Sequence, residues 1–146
     1  MTNSNSEDYF FHTECKPRLI DLQSYRDSRG KIIVGEFSDF PFNPQRFFIQ
    51  EVDSAGIERG GHAHLICQQL MIPLSGTVLT NIQFCGGTIE FQLQDSNVGL
   101  YLPKMVWATQ TFATADAKTL VLASEPFEES DYIRDKSFYE KLLSNH

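Results

Sequence analysis

Short apolar runs, broken by turn residues, follow one another along most of this chain. KIIVGEF, RFFIQEV, QQLMIPL, TVLTNIQF, TIEFQL, VGLYL, MVWATQTF and AKTLVLAS each span five to eight residues and are rich in β-branched and aromatic side chains. Runs of that length and composition predict strands. CGG at 85–87 lies between two of them and predicts a hairpin. RDSRGK, Arg26–Lys31, predicts a tight turn, because it holds a single glycine and no helix pattern follows. Only the end of the chain breaks this rhythm. Ser137 is followed three residues later by Glu140, a capping-box pattern that predicts a short helix with Phe138, Leu142 and Leu143 facing inward. Many short strands and one terminal helix imply an all-β barrel or double-sheet jelly roll. No repeat or linker divides residues 1–146, so a single domain is expected, with the polar stretch 1–8 (MTNSNSED) frayed.

Composition narrows the partners. The chain is 41% hydrophobic and 21% charged, which fits a folded domain. Its net charge of −7, with no Lys/Arg block, argues against nucleic acid or an anionic membrane surface. No apolar run approaches the ~20 residues of a membrane helix. Three cysteines without a CxxC, and no signal peptide, point to reduced thiols and a cytoplasmic location.

The chemistry concentrates in RGGHAH. On a strand, residues i and i+2 share a face, so His62 and His64 project together. Three readings of such a pair are open. The first is a metal site of the cupin jelly-roll type, whose pattern sets glycine, HxH, glutamate and glycine at fixed spacing. Gly56, His62, His64 and Gly76 match that spacing and support a cupin-like jelly-roll β barrel. Position 69, however, is Gln, and Ala108 stands where a further histidine is expected. Two imidazoles alone make a weak transition-metal site, so no metal cofactor is expected. The second reading, preferred here, is acid–base work, since imidazole takes and returns protons near neutral pH. The third is a pair of polar residues satisfied by neighbours. Gly60 and Gly61 serve either a close ligand approach or a plain turn.

ERGGHAH, SNVGLYLPKMVW, LVLASEPFEESDYIRD and the closing SFYEKLL resemble the WxcM-like family over about Arg18 to Leu143. Its best-known members are nucleotide-sugar 3,4-ketoisomerases acting on dTDP-4-keto-6-deoxyglucose in deoxysugar biosynthesis for O-antigen, lipopolysaccharide or S-layer glycans. The resemblance implies a cupin-like barrel, no metal requirement, and a homodimer that exchanges N-terminal strands. It implies catalytic roles for His62 and His64, with His64 the main proton carrier. It implies substrate contacts from Arg29, Arg46, Arg59, Gln69, Tyr101 and Trp107, the arginines holding the diphosphate. Many members carry His or Arg where this chain has Ala108, so the sequence leaves the C4 configuration of the product open. Two alternatives stand beside this reading: a non-catalytic sugar-nucleotide-binding module, and a nucleotide-sugar epimerase on a related jelly roll.

Overall fold

The computed structural model describes residues 16–145. Within them, two five-stranded antiparallel sheets face each other. The first holds β1 (Arg18–Asp21), β4 (Arg46–Glu51), β6 (Gln69–Ser75), β9 (Val98–Leu102) and β11 (Lys118–Ala123), in the order β1-β9-β6-β11-β4. The second holds β5 (Ile57–His64), β7 (Val78–Phe84), β8 (Gly87–Leu93), β10 (Trp107–Phe112) and the short β12 (Tyr132–Ile133), in the order β12-β5-β10-β7-β8. A separate hairpin, β2 (Gln23–Asp27) with β3 (Gly30–Val34), pairs only with itself. This is the expected all-β jelly roll, and all eight runs read as strands are strands. Cys85–Gly87 does turn the chain from β7 into β8, with Phe84 paired to Gly87. No helix among the described residues is long and apolar enough to cross a membrane.

One core fills the space between the sheets. Met71, Leu100, Leu102 and Val121 come from the first, and Val78, Ile82, Leu93 and Phe112 from the second. The first sheet is also covered on its outside, where Leu22, Phe40 and Phe42 pack on Leu70, Ile72 and Tyr101. Alternate residues of β6 and β9 are therefore buried on opposite faces.

The terminal helix, α1 (Lys136–Ser144), departs from expectation in phase. Its N-cap is Asp135, whose Oδ1 accepts a hydrogen bond from the Phe138 N–H at 3.0 Å. Tyr139, Leu142 and Leu143 pack onto Ala63, Trp107 and Ile133. Phe138 is left 52% exposed. The cysteines also depart. Cys67 is a free, buried thiol, whereas Cys85 is disulfide-bonded. Spacing alone does not pair cysteines, and Cys15, like residues 1–8, lies outside the described residues.

Candidate active site

Strand register assembles one end of the barrel. On the first sheet, Arg46 pairs with Ala123 and Ala123 with Gln69. Directly paired residues share a face, so Arg46 and Gln69 flank the small, fully buried Ala123 on the inner side. Across the barrel, Ala108 pairs with His62. His62, His64, Gln69, Ala108 and Gln110 then line one small cavity.

The two glycines of RGGHAH have a specific task. The β5–β10 register slips between Ala108 and Thr109, so that Ala108 faces His62 but Thr109 faces Gly60. Gly61 is the extra residue of a β-bulge, and Gly60 and Gly61 have φ of +83° and +77°. A bulge breaks the two-residue alternation. Arg59 and His62, three apart, would otherwise point to opposite faces. With the bulge, Arg59 pairs with Gln110, whose side chain lines the histidine cavity. At Gly60 an added Cβ would lie 2.7 Å from the Ala108 carbonyl oxygen. Gly60→Ala should therefore destabilise the fold by about 1–3 kcal/mol, the cost of such a strained residue. Chemical denaturation measures this, and an unchanged midpoint would remove the bulge from the account.

His64 is only 6% exposed. Its Nδ1 lies 2.9 Å from Asp131 Oδ2. An ionised carboxylate only accepts, so the ring donates, and Nδ1 carries the proton. Asp131 is itself held, its Oδ1 accepting from the Ile66 N–H at 2.7 Å and its Oδ2 from the Cys67 N–H at 3.3 Å. The lone pair is then on Nε2, which faces the Gln69 amide at 3.4 Å. This arrangement fixes the tautomer and aims a basic nitrogen into the cavity. Burial pushes the His64 pKa below its usual value, against the opposing pull of Asp131. The His62 pKa falls further, to about 4, through burial and then the neighbouring His64 and Arg134 charges. Both rings are thus neutral at neutral pH. Tyr132 packs against both, with ring centroids 4.4 Å from His64 and 5.0 Å from His62.

Among the expected substrate contacts, Arg46, Arg59 and Gln69 come to the histidine end. The Arg46 guanidinium lies over the Phe48 and Phe127 rings, and its buried Nε has no hydrogen-bond partner. Arg59 makes no ion pair or side-chain hydrogen bond among the described residues and is exposed. Three expected residues lie elsewhere. Arg29 sits at the tip of the β2–β3 hairpin, ion-paired with Asp27. Tyr101 points to the outer face, stacked on Phe42, and donates to Gln68 Oε1 at 2.6 Å. Trp107 is outside the second sheet, under α1, 5.5 Å from the Tyr139 ring and beneath the Lys136 ammonium. Sequence reasoning missed Asp131, Tyr132 and Gln110. The first two lie in the DYIRD segment, but nothing local tied them to the histidines. The jelly-roll metal pattern would draw on His62, His64, Gln69 and Ala108. The cavity gathers all four, but an amide and a methyl replace two ligands, so the set does not fit that metal.

Comparison with known proteins places the chain in a family context. The family model described as FdtA: WxcM-like, C-terminal matches residues 15–144. The TDP-4-oxo-6-deoxy-alpha-D-glucose-3,4-oxoisomerase of Aneurinibacillus thermoaerophilus is 30% identical over 129 residues, covering 87% of this chain and 92% of the relative. The solved structure of QdtA, a sugar 3,4-ketoisomerase from Thermoanaerobacterium thermosaccharolyticum in complex with TDP, superposes with a TM-score of 0.84 at 32% identity, covering 88% of this chain and 95% of that one. A mutant of the same enzyme in complex with TDP-4-keto-6-deoxyglucose gives 0.85 at 30% identity, covering 89% and 95%. The Mycobacterium tuberculosis rmlC epimerase, at 16% identity and a TM-score of 0.69, covering 80% and 66%, shares the fold.

Proposed function

The chain belongs to the WxcM-like, C-terminal family, and from that we propose that it is an isomerase that moves the carbonyl of dTDP-4-keto-6-deoxyglucose from C4 to C3. The observation that carries the reading is the His64–Asp131 pair, which presents an unprotonated Nε2 beside His62 in a buried cavity. The hydrogen on C3 is acidified by the neighbouring C4 ketone. His64 Nε2 takes that proton, a C3–C4 double bond forms, and the C4 oxygen becomes the enolate oxygen. Protonation of that oxygen gives the enediol. Loss of the proton on the C3 oxygen, with return of a proton to C4, leaves the ketone at C3. The Gln69 and Gln110 amides, beside neutral His62, supply hydrogen bonds to the two oxygens. Fixed donors of this kind commonly lower a barrier by several kcal/mol.

Arg46 and Arg59 are the proposed diphosphate contacts. Both bear unpaired donors at the histidine end, and charge-assisted hydrogen bonds to phosphate are strong. Alanine at either position should weaken dTDP binding about tenfold or more, the loss of one hydrogen bond to a charged group. Titration calorimetry reads it, and undiminished affinity in both variants would defeat the clamp.

We also take the chain to be one domain acting in the cytoplasm as a homodimer with exchanged N-terminal strands. The exposed Phe47 and Ile49 on the first sheet, and Tyr25 and Ile32 on the hairpin, offer apolar surface for such a partner. In that assembly Arg29, Tyr101 and Trp107 act at the nucleotide only if the second chain brings it to them. Light scattering should give about twice 16.7 kDa; a monomer would speak against exchange.

Turnover in D₂O tests the reaction class. Deuterium at C4 of a 3-keto product identifies the ketone shift. Deuterium at C5 would instead assign an epimerase, and dTDP binding without turnover a non-catalytic module.

A further inference from the structure

Cys67 has no part in the chemistry above. It is 2% exposed, yet it borders the catalytic cavity with His62, His64 and Gln69. Its Sγ makes one long contact, 3.5 Å from the Gln68 carbonyl oxygen. A ring nitrogen of His64, the Cys67 Sγ and a carboxylate oxygen of Asp131 all lie within 4.8 Å of one another. The adjoining cavity has a volume of about 10 Å³, close to one water-sized sphere. Such a void admits an ion or a water.

The ligand types match one class of metal. Imidazole, thiolate and carboxylate together suit Zn²⁺, which binds them at about 2.0–2.3 Å in a tetrahedron. Donors on such a tetrahedron stand about 3.4–3.8 Å apart, so the wider pairs of the cluster close by up to about 1.4 Å, while His64 Nδ1 and Asp131 Oδ2, now 2.9 Å apart, open slightly. The carboxylate is already oriented, because the Ile66 and Cys67 N–H groups grip it. The turn that carries the thiol is thus the turn that holds the carboxylate. This donor set is distinct from the jelly-roll pattern, which would use positions 69 and 108.

We propose that His64, Cys67 and Asp131 form an inhibitory Zn²⁺ site, with the fourth position open to water. Binding releases the thiol proton, so affinity rises with pH. The metal takes the place of the Nδ1 proton between His64 and Asp131, that proton moves to Nε2, and the base is lost. The binding half of this proposal stands by itself; the inhibition rests on the ketoisomerase reading.

The test uses the whole protein and two metals. Co²⁺ serves as a spectroscopic probe, and Zn²⁺ affinity is read by competition with a chromophoric chelator. One metal per chain is expected, with a thiolate-to-Co²⁺ charge-transfer band. Cys67→Ser should abolish the band, weaken Zn²⁺ binding about 100-fold and leave metal-free turnover unchanged. Cys67→Ala checks that the loss does not come from misfolding, since it should fold and fail to bind in the same way. Asp131→Asn should also weaken Zn²⁺. Absence of stoichiometric metal, or binding indifferent to Cys67, overturns the site. Should the wild-type protein prove inactive on the ketosugar, these binding measurements still decide it.

Discussion

His64→Asn should lower kcat on dTDP-4-keto-6-deoxyglucose by about 10²–10⁴-fold, the usual contribution of a positioned general base. Asparagine keeps much of the size and polarity of imidazole but offers no basic nitrogen. Since the β5–β12 ladder pairs His64 with Tyr132 through backbone groups, the strand should survive. The affinity for dTDP should stay nearly that of the wild type, because the proposed phosphate contacts come from Arg46 and Arg59. Steady-state kinetics and calorimetry separate the two effects. Turnover close to wild type would take His64 out of the role.

The second large effect belongs to Asp131, which acts through His64. Asp131→Asn should cut kcat by about 10²–10⁴-fold, because an amide can donate to Nδ1 and so favour the tautomer with its proton on Nε2, which is no base. The pH profile distinguishes this from simple damage. Asp131 raises the His64 pKa through its hydrogen bond and its charge, while burial lowers it. Removing the charge leaves burial unopposed, so the pKa falls further. The acid limb of kcat/KM, where His64 becomes protonated, should therefore move to lower pH in the variant. A limb that stays in place, or moves upward, would show that Asp131 does not control the protonation of His64.

The strands were legible because apolar runs and turn residues mark them directly, and β7–β8 announced its hairpin through CGG. What was not legible was which face a residue serves where parity carries no signal. In β9, Gly99, Leu100, Tyr101 and Leu102 are all buried. With both faces covered, no alternation shows that Leu102 points in and Tyr101 out. Trp107 is hidden in the same way, because α1 covers the outer side of its strand. At Arg59 simple alternation misleads, since only the Gly60–Gly61 bulge brings it round to His62. Local spacing did find the histidine pair, which needs only the period of a strand. Asp131 lies 67 residues from His64, and its role depends on β12 folding back on β5, which no local pattern encodes. The helix illustrates a smaller slip, where a capping box at Ser137 competed with Asp135 and the better-placed carboxylate took the N–H of Phe138.

The central claim is that a buried, neutral histidine removes the proton at C3 of a 4-keto sugar. Proton NMR of the wild-type protein with dTDP-4-keto-6-deoxyglucose in D₂O tests it most directly. The account predicts loss of the C3 proton signal together with the growth of a 3-keto product. A C3 signal that persists at full intensity, with binding confirmed by calorimetry, would contradict it.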